Sequence, residues 1–506
     1  MMIRATGRSF PAQLRHWAAR HPTAAVGLLA LGLILPFLGL RPLLDPDEGR
    51  YALVAWNMVT SHNVLVPTLW VDPHLSKPPL TYWLIALCLW LFGKSVWAAR
   101  LPLALAYVAS ACAVVRISAR LQPRQSGAWA GIVWATSLLP FVAGNVLTTD
   151  SLLAALATSA VLCFLAASQE APPRWCGAGY ALALGFAFLT KGPPALLLAF
   201  VPLVLWHRLA HRTWLPTPLR RWRLFLLCCA VAFSWFILLA IDDPQRLRYW
   251  VVEEVVKRLA TTEHRRNLPW LMYVAVLVVG LLPWTPFCLH TLWVRRRACW
   301  QARRPDALSL LYLLWFGIPF LGFSLARSRM PLYVLALAAP LALMAAESFT
   351  SRLRAVPLRH YQRLLRPALP AHGLLLLALA FGSSFVTLKD SRPTNLWAQL
   401  IARDAGSQRY EVIFPDNFIN PSLLFYTYPR TEIVSLEAVD PEHTLESPRM
   451  ETLQEELRER GEIWYLVIRR EDLDEVVRAS PYPISVLYLN PKFALLKIAP
   501  EAPDPR

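Results

Sequence analysis

The chain has 506 residues, of which 56% are hydrophobic and 17% are charged, and its formal net charge is +18. A chain this apolar is not a soluble globular protein of average composition, so we expect an integral membrane protein. The Lys and Arg residues cluster in loops between apolar runs, which the positive-inside rule predicts, so we expect no nucleic-acid partner. The eight cysteines include no CxxC pair, which argues against both disulfides and a structural zinc site.

Apolar runs of crossing length follow one another through most of the chain, since about 17 to 25 residues make one crossing. The first run follows the basic stretch RHWAARH without a small-residue cleavage site, so we expect a retained helix rather than a removed signal peptide. The sequence predicts an all-α polytopic membrane domain over residues 1–388, with about 11 to 13 transmembrane helices. The runs lie near 24–40, 101–118, 127–147, 151–167, 177–190, 193–206, 224–241, 269–291, 307–325, 331–347 and 371–388.

The loops between these runs predict the orientation of the chain in the membrane. Strongly basic loops, such as WVRRRACWQARRP and SRLRAVPLRHYQRLLRP, alternate with loops that carry acids, and the basic set is expected in the cytoplasm. The basic and the acid-bearing loops fall consistently on opposite sides only if residues 78–93 do not cross the membrane. We therefore expect an interfacial helix or hairpin there, on the outer face, which its Trp and Tyr residues suit.

The pattern changes near residue 389, where the hydrophobicity falls. Short β-rich runs follow (YEVIF, IWYLVI, ISVLYL and FALLKI), separated by polar helical stretches such as METLQEELRERG. The sequence predicts a small soluble α/β domain over residues 389–506, on the same outer side. We expect it to be non-catalytic, because its charged residues are typical of a solvated surface.

With this topology, five charged stretches reach one side of the membrane. Each has an ordinary explanation as well. Asp45, Asp47 and Glu48 suit a helix N-terminus, and Asp150 or the threonines before it suit a helix cap. Lys191 is harder to explain, because a charge drawn into hydrocarbon costs up to about 3 kcal/mol. The stretches are Asp45–Lys77, Asp150, Lys191, Glu253–His264 and Arg327–Tyr333.

A basic rim with carboxylates beside it suits transfer from a lipid-linked phosphate donor. Lys and Arg would neutralise the departing phosphate, and a carboxylate would take the proton of the acceptor or hold a cation. A site on the outer side has no nucleotide sugar, so the activated donor has to arrive within the lipid. The sequence has neither a P-loop nor a Rossmann glycine motif, which agrees with such a donor.

The motifs of residues 24–347 resemble a known family. DPDEGRYALVAWNMVTSHNVLVPTLW, KPPLTYWLIALCLWLFG, TTDSLLAA, LTKGPPAL, HRRNLPW and RMPLYVLALAAPLALMAA occur in the same order in the bacterial polyprenyl-phosphate-dependent glycosyltransferases of the GT-C fold. This group includes the lipid A aminoarabinose transferases and, more distantly, the protein O-mannosyltransferases. The resemblance implies a GT-C fold and a sugar donor carried on undecaprenyl phosphate.

The resemblance also implies roles for individual residues. The catalytic set is Asp47, Glu48 and Asp150, with Asp47 as the leading carboxylate. The ligands of the donor phosphate are Lys77, Lys191, Arg258 and Arg50. The substrate-binding set is Tyr51, Tyr333, His264 and Arg329. A divalent cation is a candidate cofactor, with His264 and Asp47 as its candidate ligands.

Two departures from the family pattern limit what the resemblance implies. Ser76 stands where the family usually has Glu before Lys-Pro-Pro, and Arg329 and Ala336 replace a Lys and a second Pro of the late motif. The loss of the Glu weakens the case for a divalent cation and for aminoarabinose as the sugar.

The prediction is an inner-membrane glycosyltransferase that moves a sugar from undecaprenyl phosphate to a periplasmic acceptor of the lipid A type, with inversion. Membrane lipids are the other expected partners. A protein acceptor is an alternative within the same class of enzyme. A lipid or polysaccharide transporter is an alternative outside it, but the sequence shows no internal repeat, and the proposed charges gather on one side instead of lining a path.

Overall fold

The fold is described, from a computed structural model, for residues 10–69, 72–123, 126–257, 268–355, 373, 394–415, 420–427, 431–434, 453–457 and 463–499. The chain divides into two units. The membrane unit comprises Met1–Gly39 and Asn57–Leu379, and the C-terminal unit comprises Leu40–Trp56 and Ala380–Arg506. Leu40–Trp56, which includes the start of the helix Asp47–Ser61, thus groups with the C-terminal residues, and a domain boundary at 388/389 stays a prediction.

The described part of the membrane unit is built almost wholly from helices. Beyond the short β-hairpin β1 (Thr68–Leu69) and β2 (Asp72–Pro73), its elements are helical, with 3₁₀ turns at three places and a π-helical stretch at Trp250–Lys257. The α-helices are Phe10–Arg20, Pro22–Ile34, Leu80–Phe92, Val96–Leu121, Ser126–Thr136, Leu138–Gly144, Thr149–Ala167, Cys176–Lys191, Pro194–Ala199, Val201–His211, Trp222–Asp242, Pro244–Tyr249, Leu271–Gly280, Thr285–Ala302, Ala307–Leu325 and Ala338–Ala355. The 3₁₀ turns are Leu35–Phe37, Thr217–Arg220 and Pro331–Leu337, with Arg470–Asp472 in the other unit.

Among the described residues, six helical segments are long and apolar enough to cross a membrane, and two bent pairs raise the number to eight if each pair is one span. The chain is therefore a multi-pass membrane protein, as predicted. The six are Val96–Leu121, Thr149–Ala167, Pro194–His211, Trp222–Asp242, Ala307–Leu325 and Pro331–Arg352; the pairs are Ser126–Thr136 with Leu138–Gly144 and Leu271–Gly280 with Thr285–Ala302.

The helices that are long enough to cross the membrane are fewer than the predicted number of about 11 to 13 transmembrane helices. Pro22–Phe37, Leu80–Phe92 and Cys176–Lys191 are apolar but shorter than a full span. The predicted run at 371–388 lies outside the described residues, apart from residue 373. The remaining crossings stay a prediction.

The helix Leu80–Phe92 occupies the segment predicted to lie on the outer face. Tyr82, Ile85 and Leu89 are buried on one side, whereas Trp90 and Phe92 are more than half exposed. One buried and one exposed apolar face suits a helix that lies at an interface. The non-crossing position of this segment stays a prediction.

The C-terminal unit contains a five-stranded mixed sheet in the order β4-β3-β5-β7-β6. Its strands are β3 (Tyr410–Pro415), β4 (Thr431–Val434), β5 (Ile463–Arg469), β6 (Ile484–Leu489) and β7 (Phe493–Ile498), and its helices are Asp47–Ser61 in part, Thr394–Ala405, Pro421–Thr427, Leu453–Glu456 and Leu473–Ala479. β3 pairs in parallel with β4 and β5, and β7 pairs antiparallel with β5 and β6. Trp464, Leu466 and Ile468 of β5 form the centre of its core. The predicted α/β fold of this segment is confirmed.

Candidate functional site

A buried ion pair joins two helices of the membrane unit. Lys191 Nζ lies 2.5 Å from Asp150 Oδ1, and each side chain is only 9% exposed. Asp150 does not cap its helix: the hydroxyl of Thr148 accepts the hydrogen bond from the Asp150 N–H at 3.3 Å. The Asp150 carboxylate is thus left to hold the lysine.

Tyr333 completes this arrangement from a third segment. The Lys191 ammonium stands 3.9 Å from the centre of the Tyr333 ring, which is a cation–π geometry. A carboxylate on one side and an aromatic face on another fix the position of the ammonium group. We call Asp150, Lys191 and Tyr333 the lysine triad.

The turn after Lys191 sets where this side chain leaves its helix. Gly192 ends the helix Cys176–Lys191 with φ +72°, and its N–H donates to the Phe188 carbonyl at 2.6 Å. This left-handed conformation favours glycine, and a Cβ there would also lie 3.4 Å from the ring of Trp250. Pro193 and Pro194 then start the next helix, since proline suits the first helical turn.

Lys191 and Tyr333 of the lysine triad line a cavity of about 280 Å³. Two cations, Lys77 and Lys191, stand on walls that are otherwise largely apolar, and two serine hydroxyls, of Ser76 and Ser328, add polarity. A mostly apolar cavity with a few polar groups is typical of a ligand site. The other lining residues are Pro78, Pro193, Pro194, Leu197, Trp250, Gly322, Phe323, Ala326 and Tyr333.

The loop that carries Lys77 is held by indole and backbone hydrogen bonds. Trp235 Nε1 donates to the Leu65 carbonyl at 2.7 Å, Trp83 Nε1 donates to the Val64 carbonyl at 2.8 Å, and the His74 N–H donates to the Pro67 carbonyl at 2.7 Å. Leu75 and Val66 pack in one apolar cluster with Trp235 and Trp250. The loop therefore presents Ser76 and Lys77 to the cavity from a supported backbone.

Ser76 stands where the resembled family usually has Glu, and it has a different partner here. Its hydroxyl lies 2.8 Å from His74 Nε2, so a hydroxyl–imidazole pair replaces a carboxylate on this wall. Among the described residues, no three His, Cys, Asp or Glu side chains come close enough to hold a metal ion. His264, one of the two predicted cation ligands, lies outside the described residues, so a bound cation stays a prediction.

Trp250 is a cavity residue that the sequence reasoning missed. It is 8% exposed, and its indole N–H has no hydrogen-bond partner among the described residues. A donor without a partner on a cavity wall suits an incoming acceptor atom. Only its position in an aromatic-rich stretch, RYWVVEEVV, signals it in the sequence.

Five of the eight predicted substrate and phosphate ligands are not among the described residues that line the cavity: Arg50, Tyr51, Arg258, His264 and Arg329. Arg329 donates to the backbone carbonyls of Ser324 and Leu268 at 3.1 and 2.9 Å and does not line the cavity. This geometry gives Arg329 a role in holding the loop before Tyr333. Arg258 and His264 lie outside the described residues.

In the C-terminal unit, Glu48 is a structural residue. It is fully buried, and its two oxygens accept from Arg41 at 2.5 and 2.9 Å and from the Leu44 N–H at 2.8 Å. Arg41 is itself only 6% exposed. We therefore interpret Glu48 as the partner that neutralises a buried arginine, rather than as the catalytic group that the resemblance implied.

Asp47 has the opposite environment. It begins the helix Asp47–Ser61, its side chain is 49% exposed, and it pairs with Arg50, three residues on. Asp45 instead accepts the Ser422 N–H at 3.3 Å, which ties the segment to the helix Pro421–Thr427. Tyr51 lies half-buried on the same helix as Asp47. Of these acids, Glu48 is buried, whereas Asp45 and Asp47 are both half-buried.

Comparisons with known proteins show what this chain is similar to. The family model for dolichyl-phosphate-mannose-protein mannosyltransferase matches residues 76–235. A protein of Edwardsiella ictaluri, named undecaprenyl phosphate-alpha-4-amino-4-deoxy-L-arabinose arabinosyl transferase, is 31% identical over 324 residues, 63% of this chain and 57% of its own length. A similarly named protein of Pseudomonas fluorescens is 30% identical over 391 residues, 72% of this chain and 65% of its own. The chain thus spans less than two thirds of these relatives.

Solved structures show the fold. The crystal structure of ArnT from Cupriavidus metallidurans bound to undecaprenyl phosphate aligns with a TM-score of 0.74 and 19% identity, over 96% of this chain and 99% of that one. The chain has the GT-C fold of ArnT. The apo state of the same ArnT aligns with a TM-score of 0.73. The predicted resemblance to the aminoarabinose transferases and the predicted GT-C fold are both confirmed.

Proposed function

We propose that this protein is a polyprenyl-phosphate-dependent glycosyltransferase that uses undecaprenyl phosphate as the carrier of its sugar. The observation that carries the proposal is the cavity with Lys77 and the lysine triad on its wall, in a chain with the fold of ArnT. A lipid phosphate needs cations next to an apolar channel, and this wall offers both. The names of the relatives support 4-amino-4-deoxy-L-arabinose as the sugar.

Lys77 and Lys191 would stabilise the leaving phosphate. Negative charge grows on the phosphate oxygens as the bond from the anomeric carbon breaks, so nearby cations act on the transition state more than on the bound substrate. Asp150 and Tyr333 hold the Lys191 ammonium in place before the donor arrives, which avoids the cost of ordering it during the reaction. We retain Arg258 and Arg50 as further phosphate ligands on the resemblance alone.

Asp47 is the proposed catalytic carboxylate. It would accept the proton of the acceptor hydroxyl while that oxygen forms its bond to the anomeric carbon, opposite the departing phosphate. Inversion at the anomeric carbon follows from this single displacement. We propose an acceptor of the lipid A type, with the site and the C-terminal unit on the periplasmic side of the bacterial inner membrane.

Transfer by the purified full chain in lipid nanodiscs tests the proposal. The donor is undecaprenyl phosphate-4-amino-4-deoxy-L-arabinose, the acceptor is lipid A, and mass spectrometry follows the acceptor. We expect a product one sugar heavier that is absent with Lys191→Ala. Failure to transfer from this donor and from undecaprenyl-phosphate hexoses, to any acceptor in an inner-membrane extract, would favour a transporter.

A protein acceptor is the second candidate, and the match of residues 76–235 to the protein mannosyltransferase family favours it. Incubation of a radiolabelled donor with whole membranes separates the two. Label that disappears from the large products after protease digestion marks a protein acceptor, whereas label that stays with the chloroform-soluble glycolipid marks lipid A.

A further inference from the structure

A second cavity lies along the helix Ala307–Leu325, towards the end opposite to the first cavity. Ser309 and Phe316 of the helix Ala307–Leu325 line it, whereas Gly322 and Phe323 of the same helix line the first cavity. Its volume is about 890 Å³. The helix has 19 residues, so it is about 28 Å long, close to the thickness of the hydrocarbon core. The second cavity therefore extends towards the end of this helix that is opposite to the first cavity.

Four arginines line the second cavity, and one of them, Arg295, forms ion pairs with nearby acids. Arg295 lies 2.6 Å from a Glu347 oxygen and 3.4 Å from an Asp306 oxygen, and it also donates to Ser309 at 2.9 Å. Glu347 lies within 3.5 Å of the Tyr312 hydroxyl, which is bound in turn by Gln122 at 2.7 Å. This network anchors Arg295 in the wall and leaves both acids occupied.

The other three arginines are exposed and lack an acidic partner. No residue in the described part of the chain forms a hydrogen bond or ion pair with the side chains of Arg296, Arg303 or Arg304. Trp300 stands among them and is 81% exposed, which suits the head-group layer where tryptophan concentrates. Three guanidinium groups at one rim form a site for a phosphate oxyanion.

The floor of the cavity is apolar. Leu313, Phe316, Leu341 and Met344 line it below the arginines, and Leu313 is 63% exposed. A free phosphate would use the rim but leave this floor uncovered. A ligand with a phosphate next to hydrocarbon chains would cover both.

We propose that this cavity binds an anionic membrane phospholipid, with its head-group phosphate on Arg296, Arg303 and Arg304 and an acyl chain along Leu313 and Phe316. The site is separate from the proposed transfer site and does not depend on that proposal. Basic pockets at the cytoplasmic ends of membrane helices bind anionic head groups, and the positive-inside rule puts this basic loop in the cytoplasm.

Native mass spectrometry of the purified full chain tests the proposal, with dioleoyl phosphatidylglycerol and dioleoyl phosphatidylcholine as probes. We expect retained phosphatidylglycerol, with at least tenfold preference over phosphatidylcholine. The double variant Arg296→Gln/Arg304→Gln should lose affinity about fivefold for each arginine. Arg296→Lys/Arg304→Lys keeps the charge and should retain most of the binding. Arg303 is left unchanged, because its φ of +55° ends the helix Thr285–Ala302.

The control variant Arg221→Gln/Arg223→Gln removes the same charge from another basic loop whose residues do not line this cavity. An equal loss with the control would show a general charge effect and overturn the site. Equal retention of both lipids would overturn the anionic assignment. Displacement of the lipid by soluble glycerol 3-phosphate at equal concentration would show a free-phosphate site and overturn the phospholipid assignment.

Discussion

At the residue scale, the local sequence is compatible with two roles for Asp150, a helix cap or a functional carboxylate. The structure distinguishes between these two roles. Thr148 takes the cap, and Asp150 contacts a lysine 41 positions later in the chain. A pairing over such a distance depends on how two helices pack, so no local pattern contains it. Lys191, in contrast, could be predicted as a functional residue from the sequence, because an isolated charge near hydrocarbon is costly.

Loss of the Lys191 ammonium should lower turnover more than donor binding. We expect Lys191→Ala to reduce kcat by about 10²- to 10³-fold, because it removes a group that stabilises leaving-group charge. Lys191→Arg should restore activity only in part, since a planar guanidinium does not fit the place of an ammonium between Asp150 and Tyr333. Kinetics at saturating acceptor with varied donor measure both quantities.

The control for Lys191 is Arg246→Gln, which removes an exposed cation paired with Asp242 and Asp243. It should leave kcat within about twofold, as for an exposed ion pair. The double variant Lys77→Ala/Lys191→Ala should lose less than the sum of the single losses if both lysines hold one phosphate. Small, additive effects of the lysines would contradict a shared phosphate site.

Asp47→Asn should lower kcat by about 10²- to 10⁴-fold with normal expression, because general-base catalysis contributes that much. Asp47→Glu separates the two explanations for Asp47, since it keeps a carboxylate that can pair with Arg50 but moves that carboxylate by one methylene group. If Asp47 matters only as the partner of Arg50, Asp47→Glu should keep most of the activity that Asp47→Asn loses. Steady-state transfer assays of the two purified variants provide the comparison.

Glu48→Gln should destabilise the C-terminal unit. It removes the carboxylate that pairs with the buried Arg41 guanidinium, and breaking such a pair from one side costs about 3–5 kcal/mol. The matched control is Glu471→Gln, which breaks an exposed pair with Arg469 and should cost at most about 1 kcal/mol. Thermal unfolding in detergent measures both. Equal melting temperatures for the two variants would mean that Glu48 is not a structural residue.

At the element scale, the strands were easier to predict than their surroundings. The apolar runs YEVIF, IWYLVI, ISVLYL and FALLKI coincide with β3, β5, β6 and β7, because each combines β-branched and aromatic residues between turn signals. β4 spans only four residues and was missed, since so short a run has no clear period. No pattern indicated that Leu40–Trp56 groups with residues far along the chain, as in the hydrogen bond from the Leu43 N–H to the Tyr426 hydroxyl at 3.1 Å.

This packing alters how the C-terminal domain can be tested. A truncation before residue 389 would remove the contacts of Tyr426 and Ser422 with the Asp45 segment. Lost activity after truncation would thus reflect a disturbed outer loop as well as a missing domain. The non-catalytic role of the domain stays a prediction.

The sheet of the C-terminal unit should lose stability in acid through Asp404. The Lys497 ammonium at 2.8 Å and then the Tyr465 hydroxyl at 2.6 Å lower the pKa of Asp404 below its usual value. Its contribution to stability is therefore complete above the pKa of the unfolded chain, about 3.9, and is lost as the pH falls through the lower folded value. Hydrogen exchange of β5 and β7 in the full chain should quicken over this range. Asp404→Asn should remove this part of the pH dependence, whereas Glu471→Gln should retain it.

At the scale of the whole molecule, the apolar runs predicted the multi-pass architecture, and the ordered motifs predicted the GT-C fold. Hydropathy could not separate short helices from spans, because Leu80–Phe92 and Cys176–Lys191 are as apolar as the spans but shorter. Nor could it predict the bends of 60° and 113° in the two bent pairs. Such bends depend on the neighbouring helices as much as on the local sequence.

The orientation of the chain follows from the proposed non-crossing helix Leu80–Phe92 and from the length of Ala307–Leu325. If residues 78–93 stay on the outer face, Lys94 and the lysine triad face the periplasm, while Arg304 at the far end of Ala307–Leu325 faces the cytoplasm. Single cysteines at Lys94 and Arg304, in a chain with its eight cysteines replaced by alanine or serine, should then react differently with a membrane-impermeant maleimide. In intact spheroplasts we expect Lys94→Cys to label and Arg304→Cys to label only after permeabilisation, and transfer activity of both variants controls for folding. Labelling of Arg304→Cys without permeabilisation would reverse the topology, and labelling of neither until permeabilisation would mean that residues 78–93 cross the membrane.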